Sequence, residues 1–459
     1  MFRKFIGDRA FYRRLILVVL PIIIQNGITN FVSLLDNIMV GQIGTLPMSG
    51  VSIVNQLMFV FNLCVFGASS GAGIFTAQFH GSQDHEGIRY TFRFKILICT
   101  ALSVLGTVLF LSAGDTLVGL YLTGEGSAED AALSLSYGRQ YLTIMLFGLL
   151  PFAINNAYAS TLRETQETFV PMLAGITAVF VNLGLNYVLI FGHLGLPAMG
   201  VRGAALATVI SRFVELGIVA GWTHRHARKH PFIRGAYRSA YIPGALLGRI
   251  STKGLPLLVN EFLWSCGVAF LNQCYSTCSL DVVPAMNIAS TLTNLGSVVF
   301  LSMGNAVGIL MGQMLGAQAT REEVQSTSRK LIFAAVVSGS AFGMLTAAFA
   351  GVFPSIYNTT DSVRLLAQKM ILISAVLIIF HSYANATYFT LRSGGKTFIT
   401  FLFDSGFLWA CSAPLAFLLS HYTSLSILPL YMICQIPDIL KCFIGAYMLK
   451  KGSWIQNLT

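Results

Sequence analysis

Short sequence phrases occur twice in this chain at a nearly constant separation, and both copies lie on apolar segments of membrane length. Leu20-Pro21 recurs as Leu255-Pro256, 235 residues later, and the pattern Gly-Ile-x-x-x-Gln-x-x-Gly that starts at Gly73 recurs from Gly308 at the same separation. A repeat of this length is far longer than the units of solenoid proteins. It indicates a duplicated half, and a duplicated membrane half is typical of transporters whose site lies between the repeats.

A further pair of phrases extends this repeat toward the end of each half. Asn156 and the run Thr161-Leu162-Arg163 recur as Asn385 and Thr390-Leu391-Arg392, now 229 residues later. The glycines that close the two earlier phrases, Gly81 and Gly316, are predicted to act as helix-ending turn residues on the inner side of the membrane.

The composition predicts an all-α integral membrane protein. Hydrophobic residues make up 55% of the chain, charged residues only 10%, and the mean hydropathy is +0.71. A soluble domain has about 25% charged residues. A membrane helix needs about 20 apolar residues. Apolar runs of that length predict twelve transmembrane helices, near 15–40, 51–78, 94–113, 136–157, 168–191, 201–222, 254–279, 286–314, 331–353, 367–391, 398–420 and 427–449.

Six predicted helices fall in each half of the chain. Because six is even, both halves enter the membrane in the same direction, so the two six-helix lobes are expected to be related by a pseudo-two-fold axis along the membrane normal. The predicted domains are an N-terminal lobe over 1–222, a basic cytoplasmic linker over 223–253 and a C-terminal lobe over 254–459. The linker histidines, including His230, are interpreted as solvated loop residues.

The positive charge of the chain predicts its orientation. With the N-terminus inside, 23 of the 29 Lys and Arg residues fall in cytoplasmic segments, as the positive-inside rule requires. We therefore expect a multi-pass protein of the cytoplasmic membrane with both termini in the cytoplasm. Anionic lipid headgroups account for the net charge of +11, so the lipid bilayer is the expected partner and nucleic acid is not.

Other functional classes lack the residues they need. The eight cysteines lie in apolar segments without a CxxC pair, and no HExxH, GxSxG or Walker motif occurs. We therefore expect no enzyme activity, no cofactor and no protein-bound metal other than a coupling ion. A monomer is expected.

Three stretches resemble one known family. They are Leu-Leu-Asp-Asn-Ile-Met-Val-Gly at 34–41, Asn-Leu-Gly-Leu-Asn-Tyr-Val-Leu-Ile-Phe-Gly at 182–192 with Gly-Val-Arg-Gly-Ala-Ala-Leu-Ala-Thr at 200–208, and Leu-Arg-Ser-Gly-Gly-Lys-Thr at 391–397. In this order they resemble the multidrug and toxic compound extrusion (MATE) transporters over essentially the whole chain. The resemblance implies two six-helix lobes that face a central cleft. It also implies antiport, in which organic, often cationic compounds leave as H+ or Na+ enters.

Asp36 is the leading candidate for ion coupling, because a carboxylate within an apolar span is costly and is a functional hypothesis by default. Asn26 and Asn30 extend a polar stripe on the same helix and are candidate cleft residues. The alternative is an acid near the interface that caps or hydrogen-bonds locally.

Asn182 and Asn186 lie one helical turn apart, so they present one polar face. The resemblance places this face against Asp36, where the three residues would hold a proton or Na+. In some family members the later position is an aspartate, so Asn186 leaves a single carboxylate and leaves the choice between H+ and Na+ open. The alternative is that the two amides only bind neighbouring helices together.

Glu261 is the second intramembrane acid, five residues beyond Pro256. It is a candidate coupling acid of the C-terminal lobe, with His381 or Asn260 as a possible partner. The alternative is a neutral structural acid, and a lone His381 also fits a structural role. Pro21 and Pro256 are candidate hinges or static kinks.

Four further charges receive structural interpretations. Arg212 with Glu215, and Asp438 with Lys441, are spaced for ion pairs on their helices. Asp404 fits either a gate residue or a helix cap.

The sequence thus predicts a secondary antiporter for small amphipathic or cationic compounds. The alternative is a flippase for lipid-linked precursors of the same superfamily. That activity would call for a cleft rich in Arg and Lys, and the spans offer few.

Overall fold

The computed structural model describes residues 5–122, 128–279, 281–357, 359–423 and 425–459, and every regular element within these ranges is helical. The elements occur in the order α1 Arg9–Gly41, α2 Thr45–Gly81, α3 His85–Leu122, α4 Ala128–Met145, α5 Leu149–Glu164, α6 Phe169–Phe191, α7 Val201–Arg225, α8 Gly244–Ser276, α9 Val282–Gly316, α10 Arg321–Phe349, α11 Asp361–Ser393, α12 Thr397–Phe401, α13 Ala413–Tyr422 and α14 Ile427–Lys451.

These helices supply twelve segments that are long and apolar enough to cross a membrane, which confirms the predicted fold class. Most helices extend beyond their predicted apolar cores; the third runs over His85–Leu122 instead of 94–113. The difference arises because hydropathy detects only the hydrocarbon-embedded part, whereas a helix continues into the polar interface with charged residues on it.

Two of the twelve segments are not regular helices. The fourth is α4 and α5 joined by a 3-10 turn at Leu146–Gly148. The eleventh is α12 and α13 joined by two π-helical segments, Leu402–Gly406 and Leu408–Ser412. A π-helical turn widens the helix locally and is frequent at functional sites.

The chain divides into two compact units. The carboxy-terminal unit consists of Met1–Ile23, Ala77–Asp84 and Leu255–Thr459, and the amino-terminal unit consists of Ile24–Thr76 and His85–Gly254. Helices α1 and α8 each contribute to both units, and each changes unit close to its internal proline, Pro21 or Pro256. The domain ranges predicted from the sequence stay a prediction.

Each unit has its own apolar core. The core of the amino-terminal unit includes Val54, Val65, Leu149 and Ala205. In the carboxy-terminal unit, one face of α1 packs against residues from α9, α10 and the chain end. This second core includes Leu15, Val18, Met311, Leu331 and Trp454.

The repeat glycines are the last residues of α2 and α9, and they also lie at a close crossing of these two helices. A Cβ on Gly81 would overlap the carbonyl oxygen of Gln313, and a Cβ on Gly316 would overlap that of Gln78. The left-handed backbone that follows each helix lies instead at Gln83, with φ of 61°, and at Gln318, with φ of 54°. The prediction that the two glycines end their helices is confirmed, but the left-handed turn residue lies two positions later, and the side-chain-free position also serves backbone contact between α2 and α9.

The basic linker between α7 and α8 is anchored to α3. The guanidinium of Arg93 donates to the carbonyls of Gly235 at 2.8 Å, Ala236 at 2.8 Å and Tyr241 at 2.9 Å. His230, expected to be solvated, is 5% exposed and packs near the Phe232 ring. The linker is thus an ordered segment, and its apolar residues Phe232 and Ile233 are buried as well.

Candidate functional site

Asp36 lies in the part of α1 that belongs to the amino-terminal unit, and it contacts α6. Its carboxylate Oδ1 accepts a hydrogen bond from Asn186 Nδ2 at 2.6 Å. Asn186 is 1% exposed. A hydrogen bond from an amide to a buried carboxylate is charge-assisted and is worth about 1.5–3 kcal/mol. The structure therefore brings together the acid and the amide that the resemblance paired, while their role stays a prediction.

Asn182 completes this cluster from the preceding turn of α6. Asn186 Nδ2 lies 3.2 Å from Asn182 Oδ1, and Asn182 Nδ2 lies 3.3 Å from the hydroxyl of Thr208 on α7. Rotating the Asn182 amide by half a turn places its nitrogen 2.9 Å and 3.1 Å from the two oxygens of Asp36, and its oxygen then accepts from Thr208. In the rotated form Asp36 accepts from both amides, while the bond from Asn186 to Asn182 is lost and their two nitrogens lie 3.2 Å apart.

Residues behind this cluster connect it to two more helices. Tyr141 on α4 lies within hydrogen-bonding reach of Thr208 and donates to Asn55 Oδ1 on α2 at 3.1 Å. The site is therefore built on α1, α2, α4, α6 and α7, and sequence reasoning missed Thr208, Tyr141 and Asn55. The run Gly-Ala-Ala-Leu-Ala-Thr that ends at Thr208 was the available signal.

The cluster contains amide, hydroxyl and carboxylate oxygen atoms. Asn186 Oδ1 is buried and accepts no hydrogen bond from the residues that the structure describes. Carboxylate, amide and hydroxyl oxygens are the ligands that suit a hard cation such as Na+. A single carboxylate is neutralised equally by one proton or one Na+.

Two other polar residues of α1, Asn30 and Thr29, form hydrogen bonds within their own helix. Asn30 Nδ2 donates to the carbonyl of Asn26 at 2.9 Å, and Thr29 Oγ1 donates to the carbonyl of Gln25 at 2.8 Å. Neither contact reaches Asp36. The predicted stripe is present on α1, but these two bonds are local.

The carboxy-terminal unit holds a second polar cluster around Asn260. This residue is 1% exposed, and its Nδ2 donates to Asp404 Oδ2 at 3.0 Å. Its Oδ1 accepts from the backbone nitrogen of Ser405 at 3.2 Å, and its carbonyl accepts from the Ser405 hydroxyl at 2.7 Å. Asn260 on α8 thus binds Asp404 and Ser405, two residues of the first π-helical segment.

Glu261 has charged neighbours other than those expected. Arg392 and Asp404 are the charged residues that act on it. The guanidinium of Arg392 lies 5.1 Å from the centre of the Phe389 ring. His381, considered as a partner of Glu261, instead places Nε2 3.5 Å from Asp438 Oδ2. The expected pairing of His381 with Glu261 was wrong. Sequence spacing does not show which positions on two different helices face each other.

The repeat-equivalent arginines occupy comparable positions. Arg163 Nη2 donates to Gln25 Oε1 at 3.4 Å, and Gln25 lies four residues beyond Pro21. Arg392 acts on Glu261, five residues beyond Pro256. The recurrence of Thr-Leu-Arg was the signal for this arrangement, in which each half directs an arginine toward its proline-containing helix.

Asp438 and Lys441 form the predicted ion pair on α14, with Lys441 Nζ 2.8 Å from Asp438 Oδ1. The same ammonium lies 3.9 Å from Asp404 Oδ1, a contact that sequence reasoning missed. A further ion pair that it missed joins the fully buried Lys95 on α3 to Glu164 on α5. No local pattern marks either contact.

Comparison with known proteins agrees with this architecture. The family model described as MatE matches residues 21–188 and again residues 256–418. The chain is 24% identical over 445 residues to a probable multidrug resistance protein NorM of Thermotoga maritima, covering 96% of this chain and 93% of that protein. It is 25% identical over 433 residues to a probable multidrug resistance protein YoeA of Bacillus subtilis, covering 92% and 89%.

Solved structures show the same fold. An outward-facing multidrug resistance MATE family transporter of the MOP superfamily superimposes with a TM-score of 0.86 at 20% identity, over 99% of this chain and 98% of that chain. A point mutant of the Vibrio cholerae MATE transporter VcmN gives 0.85 at 17% identity, over 98% of each chain.

Fold and repeat together define a helical membrane transporter built from two related halves. The two matches to the family model begin at Pro21 and Pro256, the residues that revealed the repeat. The chain belongs to the MatE family, the multidrug and toxic compound extrusion transporters.

Proposed function

We propose that this protein is a secondary antiporter that exports amphipathic or cationic organic compounds in exchange for inward H+ or Na+. The observation that carries the proposal is the Asp36 carboxylate, held by the Asn186 amide at 2.6 Å inside a membrane-spanning helix bundle. The names of the relatives from Thermotoga maritima and Bacillus subtilis support multidrug substrates.

The coupling step follows from the charge of this site. With Asp36 ionised, the cluster around Asn182, Asn186 and Thr208 carries one negative charge; with a proton or Na+ bound, it is neutral. A transporter that alternates between two conformations is shifted by whatever binds one of them more tightly. Binding of the ion from the outer side would therefore favour the conformation that releases the compound outside.

We also propose roles for residues of the carboxy-terminal unit and for the two helix prolines. Glu261, with Arg392 and Asp404, is proposed as a second coupling acid. Pro21 and Pro256 lie inside continuous helices and are proposed as hinges, since a proline leaves a carbonyl of its helix without a hydrogen bond. The protein is proposed to lie in the cytoplasmic membrane with both termini in the cytoplasm.

The test uses purified protein in proteoliposomes with ethidium as the compound and a proton or sodium gradient imposed separately. Wild-type protein is expected to move ethidium against its gradient with one of the two ions. Asp36→Asn keeps the shape and removes the charge, so it is expected to lose gradient-driven movement while it still exchanges ethidium at equilibrium.

Asp115→Asn is the matched control, because Asp115 lies on α3 with its side chain 55% exposed and pairs with Arg139 at 3.6 Å. This variant is expected to transport at the wild-type rate. Gradient-driven transport by Asp36→Asn at the wild-type rate would show that Asp36 does not couple the ion.

A further inference from the structure

A cavity lies between α10 and α14 in the carboxy-terminal unit, apart from the two polar clusters described above. One face of α10 from Gln325 to Val336 and one face of α14 from Ala446 to Lys450 line it, together with Tyr383 of α11 and Phe5. We call it the α10–α14 cavity. Its volume is about 520 Å³. Ligand sites commonly occupy about 300–1,000 Å³, so the cavity is large enough to hold a ligand.

The α10–α14 cavity carries positive charge toward the end where α10 begins and α14 ends. Arg321 Nη2 donates to the carbonyl of Lys451 at 3.1 Å and joins the two helices there. Arg329 and Lys450 line the cavity, and both residues are exposed. Among the residues that the structure describes, neither forms an ion pair. The cavity thus offers two cations to a ligand.

The acidic residues near this end do not neutralise these two cations. Glu323 accepts from the backbone nitrogen of Thr320 at 3.0 Å and from its hydroxyl at 2.9 Å, in the capping box of α10. Asp8 accepts from the backbone nitrogen of Phe11 at 2.8 Å at the start of α1. Glu322 is not one of the residues that line the cavity. Positive charge therefore predominates here.

The remainder of the α10–α14 cavity is mainly apolar. Phe333 and Val336 line it from α10, and Ala446 lines it from α14. Phe5, which precedes α1, places its ring centre 5.8 Å from that of Phe333. At 1.5 Å per residue, the helix from Arg329 to Val336 extends about 10 Å away from the cation. An acyl chain that starts from a headgroup at Arg329 would therefore contact apolar side chains.

We infer that the α10–α14 cavity binds an anionic phospholipid, with the phosphate at Arg329 and Lys450 and an acyl chain along Phe333 and Val336. A guanidinium binds phosphate oxygens with two parallel hydrogen bonds, and an ammonium adds a point charge. Basic pockets between membrane helices on the cytoplasmic side bind anionic headgroups. In the proposed orientation, this end of the cavity lies at the cytoplasmic leaflet.

The experiment measures binding of palmitoyl-oleoyl phosphatidylglycerol to delipidated full-length protein in a neutral detergent, by native mass spectrometry. Wild-type protein is expected to bind this lipid about tenfold more tightly than phosphatidylcholine with the same acyl chains, because the choline cancels the phosphate charge. Glycerol 3-phosphate, which has the phosphate without acyl chains, is expected not to compete. Competition by it would show that a free phosphate suffices and would overturn the assignment to a lipid.

A matched pair of double variants separates this site from net charge. Arg329→Gln with Lys450→Gln is expected to bind phosphatidylglycerol about tenfold more weakly, since two charge-assisted contacts are lost. Lys330→Gln with Lys451→Gln is the control. It removes two positive charges from the same two helices, at neighbouring residues that do not line the cavity. The control is expected to bind like the wild type.

The apolar part is tested by Ala446→Trp, which leaves the charge unchanged and places a large ring in the cavity. This variant is expected to bind phosphatidylglycerol several-fold more weakly. Unchanged binding would show that the acyl chain lies elsewhere and would overturn the inference.

Equal weakening in the two double variants would show that the lipid responds to net charge alone, and equal binding of the two phospholipids by the wild type would show that the site does not select an anion. Either result would overturn the inference. Should the Arg329 and Lys450 double variant fail to fold, as judged by gel filtration, Lys450→Gln is compared with Lys451→Gln in the same way. Because lipid binding is measured without transport, a failure of the proposed antiport would leave these results unchanged.

Discussion

The crossing of α2 and α9 can be tested at Gly316. Gly316→Ala places a methyl group against the backbone carbonyl of Gln78, where no flexible side chain can move aside. Overpacking of this kind costs about 1–3 kcal/mol. Alanine in place of glycine within a helix recovers about 0.5–1 kcal/mol. We therefore expect Gly316→Ala to be destabilised by up to about 2.5 kcal/mol, and Gly81→Ala by a similar amount, because the contact is reciprocal.

The control is Gly217→Ala on α7, where a Cβ would meet no described atom within 4 Å. Only the helix-propensity gain remains there, so this variant is expected to be stabilised by about 0.5–1 kcal/mol. The assay is the thermal unfolding midpoint of the three variants and the wild type in one detergent. Gly316→Ala with a midpoint at or above that of Gly217→Ala would refute the close crossing.

Three further predictions concern topology, coupling and the linker. On a cysteine-free background, a cysteine at position 360 is expected to react with an impermeant thiol reagent added to intact cells, and a cysteine at position 235 is not. Labelling of position 235 would show that the orientation in the membrane is opposite to the predicted one. Glu261→Gln is expected to lose ion-driven transport while ethidium binding persists, and transport at the normal rate would make Glu261 structural. Arg93→Lys cannot reproduce the three-carbonyl contact of the guanidinium, so trypsin is expected to cut the linker about tenfold faster, since each lost charged hydrogen bond is worth about 1.5–3 kcal/mol. Arg228→Lys, exposed in the linker itself, is the control, and equal cleavage of both variants would contradict the role of Arg93.

The fold was predictable from the sequence because the membrane imposes one requirement on every span. About 20 apolar residues must occur together, and a helix must satisfy its backbone internally. The repeat at Pro21 and Pro256 added the two-half organisation. Local irregularities did not follow from these rules. The first π-helical segment of the eleventh span contains Asp404 and Ser405, which bind Asn260, and apolarity does not encode these contacts.

The two polar clusters differ in how far the sequence could predict them. The contact of Asp36 with Asn186 came from a family resemblance, since nothing in the spacing links residues 150 positions apart. The second cluster, in which His381, Asp438, Lys441 and Asp404 contact one another in turn, was recognised only in part, as one ion pair and several isolated residues. Its members come from α11, α14 and an irregular span, and their convergence depends on helix rotation, which the hydrophobic pattern does not specify for buried spans.

The membership of α1 in two units has a consequence for biosynthesis. Leu15 and Val18 leave the ribosome long before their core partners Leu331 and Trp454. At about 5–20 residues per second, the 436 positions from Val18 to Trp454 take on the order of 20–90 s to synthesise. During that interval one apolar face of α1 is without its final partners, and lipid or a membrane chaperone must cover it. This core of the carboxy-terminal unit is consequently completed only after Trp454 has been made, so a product truncated before Trp454 cannot close it.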